Sequence, residues 1–107
     1  MLEEEFDALS QMMAEHMAMR FPPGLRGVDI EDHDLVMLGA DAYGYAGGVL
    51  KGPLSEQRRG GLLRLMAVFE KVLPPLNDPY ATRYYAHARD MAALSADIES
   101  LREQAAR

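Results

Sequence analysis

Residues 78–107 read DPYATRYYAHARDMAALSADIESLREQAAR and contain the longest amphipathic pattern of the chain. Asp78 can accept hydrogen bonds from the free backbone N–H groups of a first helical turn, and Pro79 suits the first helical position. Side chains seven residues apart share one face of a helix. One such series consists of Tyr84, Met91, Ile98 and Ala105, and a second consists of His87, Leu94 and Leu101. The pattern predicts a helix over residues 78–106, about 45 Å long, whose apolar stripe must be covered by the rest of the chain or by a second copy.

Three further helices are predicted upstream. Residues 2–20 carry apolar side chains in steps of three and four, with acidic residues in the first turns, where the helix dipole favours negative charge. Residues 34–50 show a helical stripe despite four glycines, and residues 55–73 carry the densest apolar face. Short links favour antiparallel neighbours. We therefore predict a single all-α domain over residues 1–107, a small four-helix bundle with a long C-terminal helix.

Two local sequence patterns predict specific contacts between helices. Ala40, Gly44 and Gly48 lie four residues apart, so we expect the second helix to approach a neighbour closely along this face. Arg58 and Arg59 fall in the first turn of the third helix, where the dipole disfavours positive charge. We expect acidic residues of the first helix, or of the acidic run that precedes the second helix, to pair with them.

That acidic run is the strongest metal-binding candidate of the sequence. Its carboxylates and one imidazole suit calcium, magnesium or manganese. It lacks the glycine turn and the distal glutamate of a calcium-binding EF-hand loop. We interpret it as solvent-exposed residues that end in a helix cap, either Asp32 or Asp34, and we predict neither a metal nor a cofactor. The run consists of Asp29, Glu31, Asp32, His33 and Asp34.

Methionines crowd the first helix. Thioethers and an imidazole could bind copper(I), but flexible methionines more often fill irregular gaps in a core. We expect Met13 and Met17 to be core residues, with a docking surface for a partner as the functional alternative. The residues concerned are Met12, Met13, His16, Met17 and Met19.

The charge is unevenly distributed. Residues 1–41 hold ten acidic and two basic residues, a balance of −8, whereas residues 42–107 hold seven acidic and nine basic residues, a balance of +2. The two parts can attract each other within one domain, or the acidic part can meet a basic partner protein. Nucleic-acid binding is disfavoured, because a phosphate backbone needs a basic patch.

His87 falls on the apolar stripe of the last helix and is the most notable single residue. It could be a buried structural histidine, a pH switch or a general base. No serine or cysteine lies at a spacing that would make it half of a nucleophile pair. With nearby tyrosines it could line a small-molecule pocket between helices. The pocket candidates are His87, Tyr43, Tyr84 and Tyr80, with Tyr45 and Tyr85 beside them.

Several classes of protein are excluded or disfavoured by the sequence. The chain has no cysteine and no long apolar run, and its start lacks the basic and apolar regions of a secretory signal. We therefore expect a cytoplasmic protein that does not span a membrane. No phosphate-binding glycine loop, zinc-protease motif or nucleophile elbow is present, so we expect no enzyme.

Short segments within residues 34–94 resemble those of small helical bacterial proteins to which no activity is assigned. The resemblance implies a helical bundle and carries no catalytic residue to this chain. The matching segments are Asp34-Leu35-Val36, Ala40-Asp41-Ala42, Gly44, Leu50-Lys51-Gly52, Val72-Leu73-Pro74 and Tyr84-Tyr85.

The functional hypothesis is a non-enzymatic protein interaction module, either a homodimer or an adaptor for a basic partner, with an immunity-like or antitoxin-like protein as one version. The alternative is a bundle that binds a small molecule or a metal through His87 and the tyrosines. In the first case, methionines Met12, Met17 and Met19 add apolar contact. The acidic residues that would bind the partner are Glu3, Glu4, Glu5, Asp7, Glu31, Asp32 and Asp34.

Overall fold

The computed structural model of the chain describes residues 2–106, which form an all-α bundle of four helices. The helices are α1 (Glu3–Ala18), α2 (Leu35–Lys51), α3 (Glu56–Val72) and α4 (Pro79–Ala105), and two short strands, β1 (Asp29–Ile30) and β2 (His33–Asp34), precede α2. Each helix lies where the sequence predicts it, and α4 is the longest, as predicted. Met1 and Arg107, which the predicted single domain includes, lie outside the described residues.

Side-chain caps fix the starts of three helices. A carboxylate oxygen of Asp78 accepts the Ala81 N–H at 2.8 Å, and Ser55 caps α3 in the same way. Asp34 accepts the Val36 N–H at 2.8 Å, so it is the cap of α2 among the two predicted alternatives. Such caps pair backbone N–H groups that the helix leaves free.

Contacts between helix ends give the directions of the helices. Near the start of α4, the hydroxyl of Tyr85 donates to the Leu35 carbonyl at the start of α2, at 2.7 Å. Near the end of α4, Arg102 donates to the Val49 carbonyl near the end of α2, also at 2.7 Å. The helices α2 and α4 are therefore parallel, and α3, joined to both by short links, runs antiparallel to them, as predicted.

The parallel pair of α2 and α4 forms the centre of the bundle. Both α1 and α3 pack against this pair. In an up-and-down bundle these two helices would be diagonal partners, but small side chains allow a close approach here. The molecule is accordingly flattened, with extents of 45 × 26 × 18 Å. Fully buried alanines of the central pair include Ala42, Ala46, Ala88 and Ala92.

The connector between α1 and α2 contains a short antiparallel hairpin that the sequence patterns do not predict. Ile30 pairs with His33 across it. Its two turn residues, Glu31 and Asp32, have positive φ angles of 53° and 63°, as a type I′ hairpin turn requires. The apolar residues of the connector, Leu25, Val28 and Ile30, pack against the core.

The buried face of α4 is wider than the predicted stripe. The first series is buried at Tyr84, Met91 and Ile98, but the second series lies at the edge, where Leu101 is 38% exposed. Alanines and polar residues carry little hydrophobic signal, so periodicity reveals only part of this face. The residues that complete it are Ala81, Tyr85, Ala88, Ala92, Ser95 and Glu99.

Two packing predictions are wrong in part. Ala40 and Gly44 are exposed, and a Cβ on Gly44 would meet no other atom within 4 Å, because α2 turns its alanine and leucine face to α4 instead. Only Gly48 of this face is closely packed, since a Cβ there would lie 3.2 Å from the Leu54 side chain. In α1, Met17 is 67% exposed and His16 is buried. His16, three residues after Met13, lies on the side of α1 that faces α4, whereas Met17, four residues after Met13, lies beyond that side.

Candidate functional site

Four side chains from three helices meet at the C-terminal end of α1. The His16 ring centroid lies 5.1 Å from that of Tyr84, 6.0 Å from that of Tyr43 and 6.2 Å from that of His87. The two imidazole planes are only 7° apart. Three of the four predicted pocket residues, His87, Tyr43 and Tyr84, are thus brought together. They surround His16, which the sequence patterns did not assign to a pocket.

The centre of this cluster carries no charge at neutral pH. Burial lowers the pKa of His16 below its usual 6.5, and the neighbouring His87 lowers it further. Burial, and then Tyr80, raises the pKa of Tyr84. The Nδ1 atoms of both imidazoles are buried without a hydrogen-bond partner, while Nε2 of His87 lies 3.4 Å from a carboxylate oxygen of Glu15. His16 and Tyr84 are therefore buried, uncharged polar rings at the centre of the cluster.

A cleft of about 320 Å³ opens beside the cluster, between α1, the connector and α2. Three rings that line it belong to His16, Tyr43 and Tyr84. Phe21 meets Tyr84 edge to face, with centroids 5.8 Å apart, and the guanidinium carbon of Arg26 lies 5.1 Å from the Phe21 centroid. The cleft thus combines aromatic walls with one permanent positive charge.

The other tyrosines lie elsewhere. Tyr80 lines a separate surface depression, and its hydroxyl donates to the carbonyl of Arg20. The Tyr45 ring lies under the guanidinium of Arg58, 5.3 Å from centroid to carbon. Tyr85 is buried and bonded to the backbone of α2, and burial raises its pKa. Of the four predicted pocket residues, Tyr43 and Tyr84 line the cleft, whereas His87 and Tyr80 do not.

The acidic residues predicted to bind a partner lie in two separate places. Glu3, Glu4 and Asp7 are exposed on the first turns of α1, with Glu5 half-buried beside them. The other group lies on the hairpin that precedes α2, beyond the opposite end of α1, a helix about 24 Å long. The structure does not bring the two groups together into one surface. The hairpin group consists of Glu31, Asp32 and Asp34, the last of which caps α2.

The ion pairs among residues 2–106 do not involve the first turns of α1. Two of them join α3 to α4, two lie within α4, and one, between His87 and Glu15, reaches the end of α1. None of them includes Glu3, Glu4 or Asp7. Direct pairing among residues 2–106 therefore does not neutralise the acidic start of α1.

A buried carboxylate that the sequence patterns missed connects α4 to α3 and to the loop before it. Glu99 is 2% exposed and accepts the Leu54 N–H at 3.1 Å and a guanidinium N–H of Arg102 at 2.8 Å. Arg59 lies 3.7 Å from Glu99 and 3.5 Å from Glu103. The acidic partners of Arg59 thus come from α4, whereas Arg58 lies over the Tyr45 ring and takes part in none of the ion pairs found in residues 2–106. The prediction of partners in α1 or the acidic run is wrong. The available signal was the seven-residue spacing of Tyr85, Ala92 and Glu99.

The part of the chain that the structure describes has neither a metal-binding group of side chains nor a membrane-spanning helix. Residues 2–106 contain no group of three or more histidine or acidic side chains placed to hold a metal ion. None of the helices in this range has both the length and the apolar character needed to cross a membrane.

Comparison with protein-family models, with curated proteins and with solved structures finds no match to this chain. The resemblance to small helical bacterial proteins stays a prediction.

Proposed function

We propose that the protein is a non-enzymatic interaction module that binds a basic partner protein through the acidic start of α1. The observation that carries the proposal is the exposure of Glu3, Glu4 and Asp7, which take part in none of the ion pairs found in residues 2–106. An unneutralised acidic surface attracts a basic partner at long range and speeds its association.

The remainder of α1 supports a contact along the helix. The solvent-exposed side of α1 includes the small side chains of Ala14 and Ala18. Met17, near the C-terminal end of α1, is 67% exposed. A flexible, polarizable thioether adapts to different partner surfaces. Met12 and Met19 are half-buried against the core, so they would contribute less apolar contact than Met17.

Several biological roles share this chemistry. An adaptor and an immunity-like or antitoxin-like protein both need an acidic surface that fits a basic partner. A homodimer would use the adjoining surface, since a groove of about 730 Å³ at the same end of the bundle is lined by Leu2, Glu5, Pro53 and Leu101. The acidic residues of α1 favour the basic partner over the second copy, because like charges repel across a symmetric interface.

The test compares two variants with equal charge changes. The α1 variant is Glu3→Gln/Glu4→Gln/Asp7→Asn, and the control variant is Glu56→Gln/Glu70→Gln/Asp97→Asn on α3 and α4. Each removes three negative charges, and each alters the first turn of a helix, so they share their general electrostatic and dipole effects. Proteins captured from the native cell by the wild type are identified and purified, and association rates are measured at low and physiological salt.

The proposal predicts a basic partner whose association with the α1 variant is slower by roughly tenfold or more at low salt, with a weaker salt dependence. The control variant should associate nearly as fast as the wild type. Equal rates for the two variants would reject α1 as the binding surface, and a partner with an acidic surface would reject the basic-partner proposal.

A further inference from the structure

The cleft beside His16 has a chemical character that the proposed protein contact does not use. Four rings line it, those of His16, Tyr43, Tyr84 and Phe21, and the Phe21 ring meets that of Tyr84 edge to face. Arg26 also lines it and forms none of the ion pairs found in residues 2–106. The guanidinium of Arg26 is therefore a local positive charge beside aromatic rings, in a protein whose net charge is −6.

We propose that this cleft binds a small aromatic carboxylic acid, with its ring against Tyr43, Tyr84 and His16 and its carboxylate on Arg26. A guanidinium matches a carboxylate with two parallel hydrogen bonds, which gives both strength and orientation. Offset or edge-to-face ring contacts with the walls hold the aromatic part. This site is separate from the acidic turns of α1, so it does not rest on the proposed protein contact.

The size of the cleft limits the ligand. Small-molecule pockets usually range from about 300 to 1,000 Å³, and this cleft, at about 320 Å³, lies at the lower end of that range. It therefore suits a ligand of one or two rings. Larger cofactors with several linked groups would extend well beyond the walls.

The charge inside the cleft selects an acid over an aromatic cation. Rings alone could attract a cation through their faces, but Arg26 at the same cleft would repel it. Burial keeps His16 neutral at physiological pH, so the imidazole adds hydrogen-bonding capacity without a second charge. The single fixed charge in the cleft is therefore the guanidinium.

The test uses three probes of similar size, namely 4-hydroxybenzoate, its neutral analogue 4-hydroxybenzamide, and the cation benzyltrimethylammonium. Binding is measured by calorimetry and by the NMR shifts of tyrosine ring protons. The expected order of affinity is acid, then amide, then cation. Arg26→Gln should weaken binding of the acid by about tenfold or more and leave that of the amide nearly unchanged.

Two further variants complete the design. Arg83→Gln is the matched control, because Arg83, like Arg26, lies over an aromatic ring but is outside the cleft. This variant should bind the acid as the wild type does. Ala40→Phe places a ring in the cleft from an exposed position of α2. This variant should bind neither the acid nor the amide. The proposal would be overturned if the wild type bound the acid and the amide equally well, or preferred the cation. It would also be overturned if Arg26→Gln and Arg83→Gln lost equal affinity for the acid, or if no probe bound.

Discussion

The carboxylate of Glu99 in α4 accepts the backbone N–H of Leu54, forty-five residues earlier in the chain, at 3.1 Å. The same carboxylate is bound by Arg102 at 2.8 Å and is 2% exposed. The loop between α2 and α3 is therefore held to α4 by a buried charged group. Removing a partner from a buried, hydrogen-bonded pair leaves the other groups desolvated and unpaired, which costs far more than losing a surface contact.

We predict that Glu99→Ala lowers the free energy of unfolding by about 3–5 kcal/mol. Glu99→Gln should cost less, because its amide oxygen can still accept the Leu54 N–H. The control is Glu103→Ala, where a side chain that is 48% exposed should contribute at most about 1 kcal/mol. Urea unfolding followed by circular dichroism measures all three, and similar losses for Glu99→Ala and Glu103→Ala would contradict the structural role of Glu99.

Two glycines in helices should respond differently to substitution by alanine. Gly44 lies in α2 with open space around it, so Gly44→Ala should raise the free energy of unfolding by about 0.5–1 kcal/mol through better helix propensity. A Cβ on Gly61 would collide with the hydroxyl of Tyr45, so Gly61→Ala should be less favourable than Gly44→Ala. In a Tyr45→Phe background the penalty at Gly61 should shrink, and thermal melts of the four variants check this coupling.

The hairpin turn carries side chains in a conformation that suits glycine and asparagine. Glu31 and Asp32 both have positive φ, which costs a residue with a branched or long side chain more than it costs asparagine or glycine. We predict that Glu31→Asn/Asp32→Gly raises the free energy of unfolding by about 1 kcal/mol. A variant that removes two exposed acids elsewhere, Glu70→Gln/Asp97→Asn, controls for the charge change. A gain no larger than that of the control would show that the turn is not strained.

Protonation of His16 should destabilise the fold. Its pKa is lowered in the folded protein by burial and by His87, so the unfolded chain binds more protons at mildly acidic pH. The free energy of unfolding should therefore be highest above the usual pKa of 6.5 and fall as the pH drops through it toward the lower folded value.

The measurement is urea unfolding of the wild type and of His16→Phe between roughly pH 7.5 and pH 5.5. The variant should lose much of the pH dependence, because it removes the group whose protonation differs between the two states. His33→Gln on the hairpin is the control and should keep the wild-type dependence. A wild-type stability that does not change over this range, or an unchanged slope in His16→Phe, would contradict the prediction.

Local sequence signals were sufficient for the helices and most of their ends. Asp78 caps α4 as predicted, and Asp34 is one of the two caps predicted for α2. Such caps can be predicted because a cap depends on a side chain and a backbone N–H only two or three residues away. The hairpin was missed because its turn residues, Glu31 and Asp32, are not the glycine and asparagine that usually mark such a turn.

The candidate site could be predicted only in part. His87, Tyr43 and Tyr84 were recognised as pocket candidates, since a histidine on an apolar stripe and nearby rings stand out in a pattern. His16 was not assigned to a pocket, because whether α1 turns His16 or Met17 inward depends on how α1 is rotated against α4. Arg26 carried no signal either, since its position over the Phe21 ring follows from the path of the connector.

The chain order of apolar, capping and helix-ending residues was enough to specify four helices, because those interactions are short-range and repeat with the period of the helix. The assembled bundle alone specified the parallel contact of α2 with α4, the burial of Glu99 and the cluster around His16. These features join residues that are tens of positions apart, and small residues such as alanine, which allow helices to approach, leave almost no hydrophobic pattern. Their energies depend on desolvation and on partners that exist only after the helices have packed.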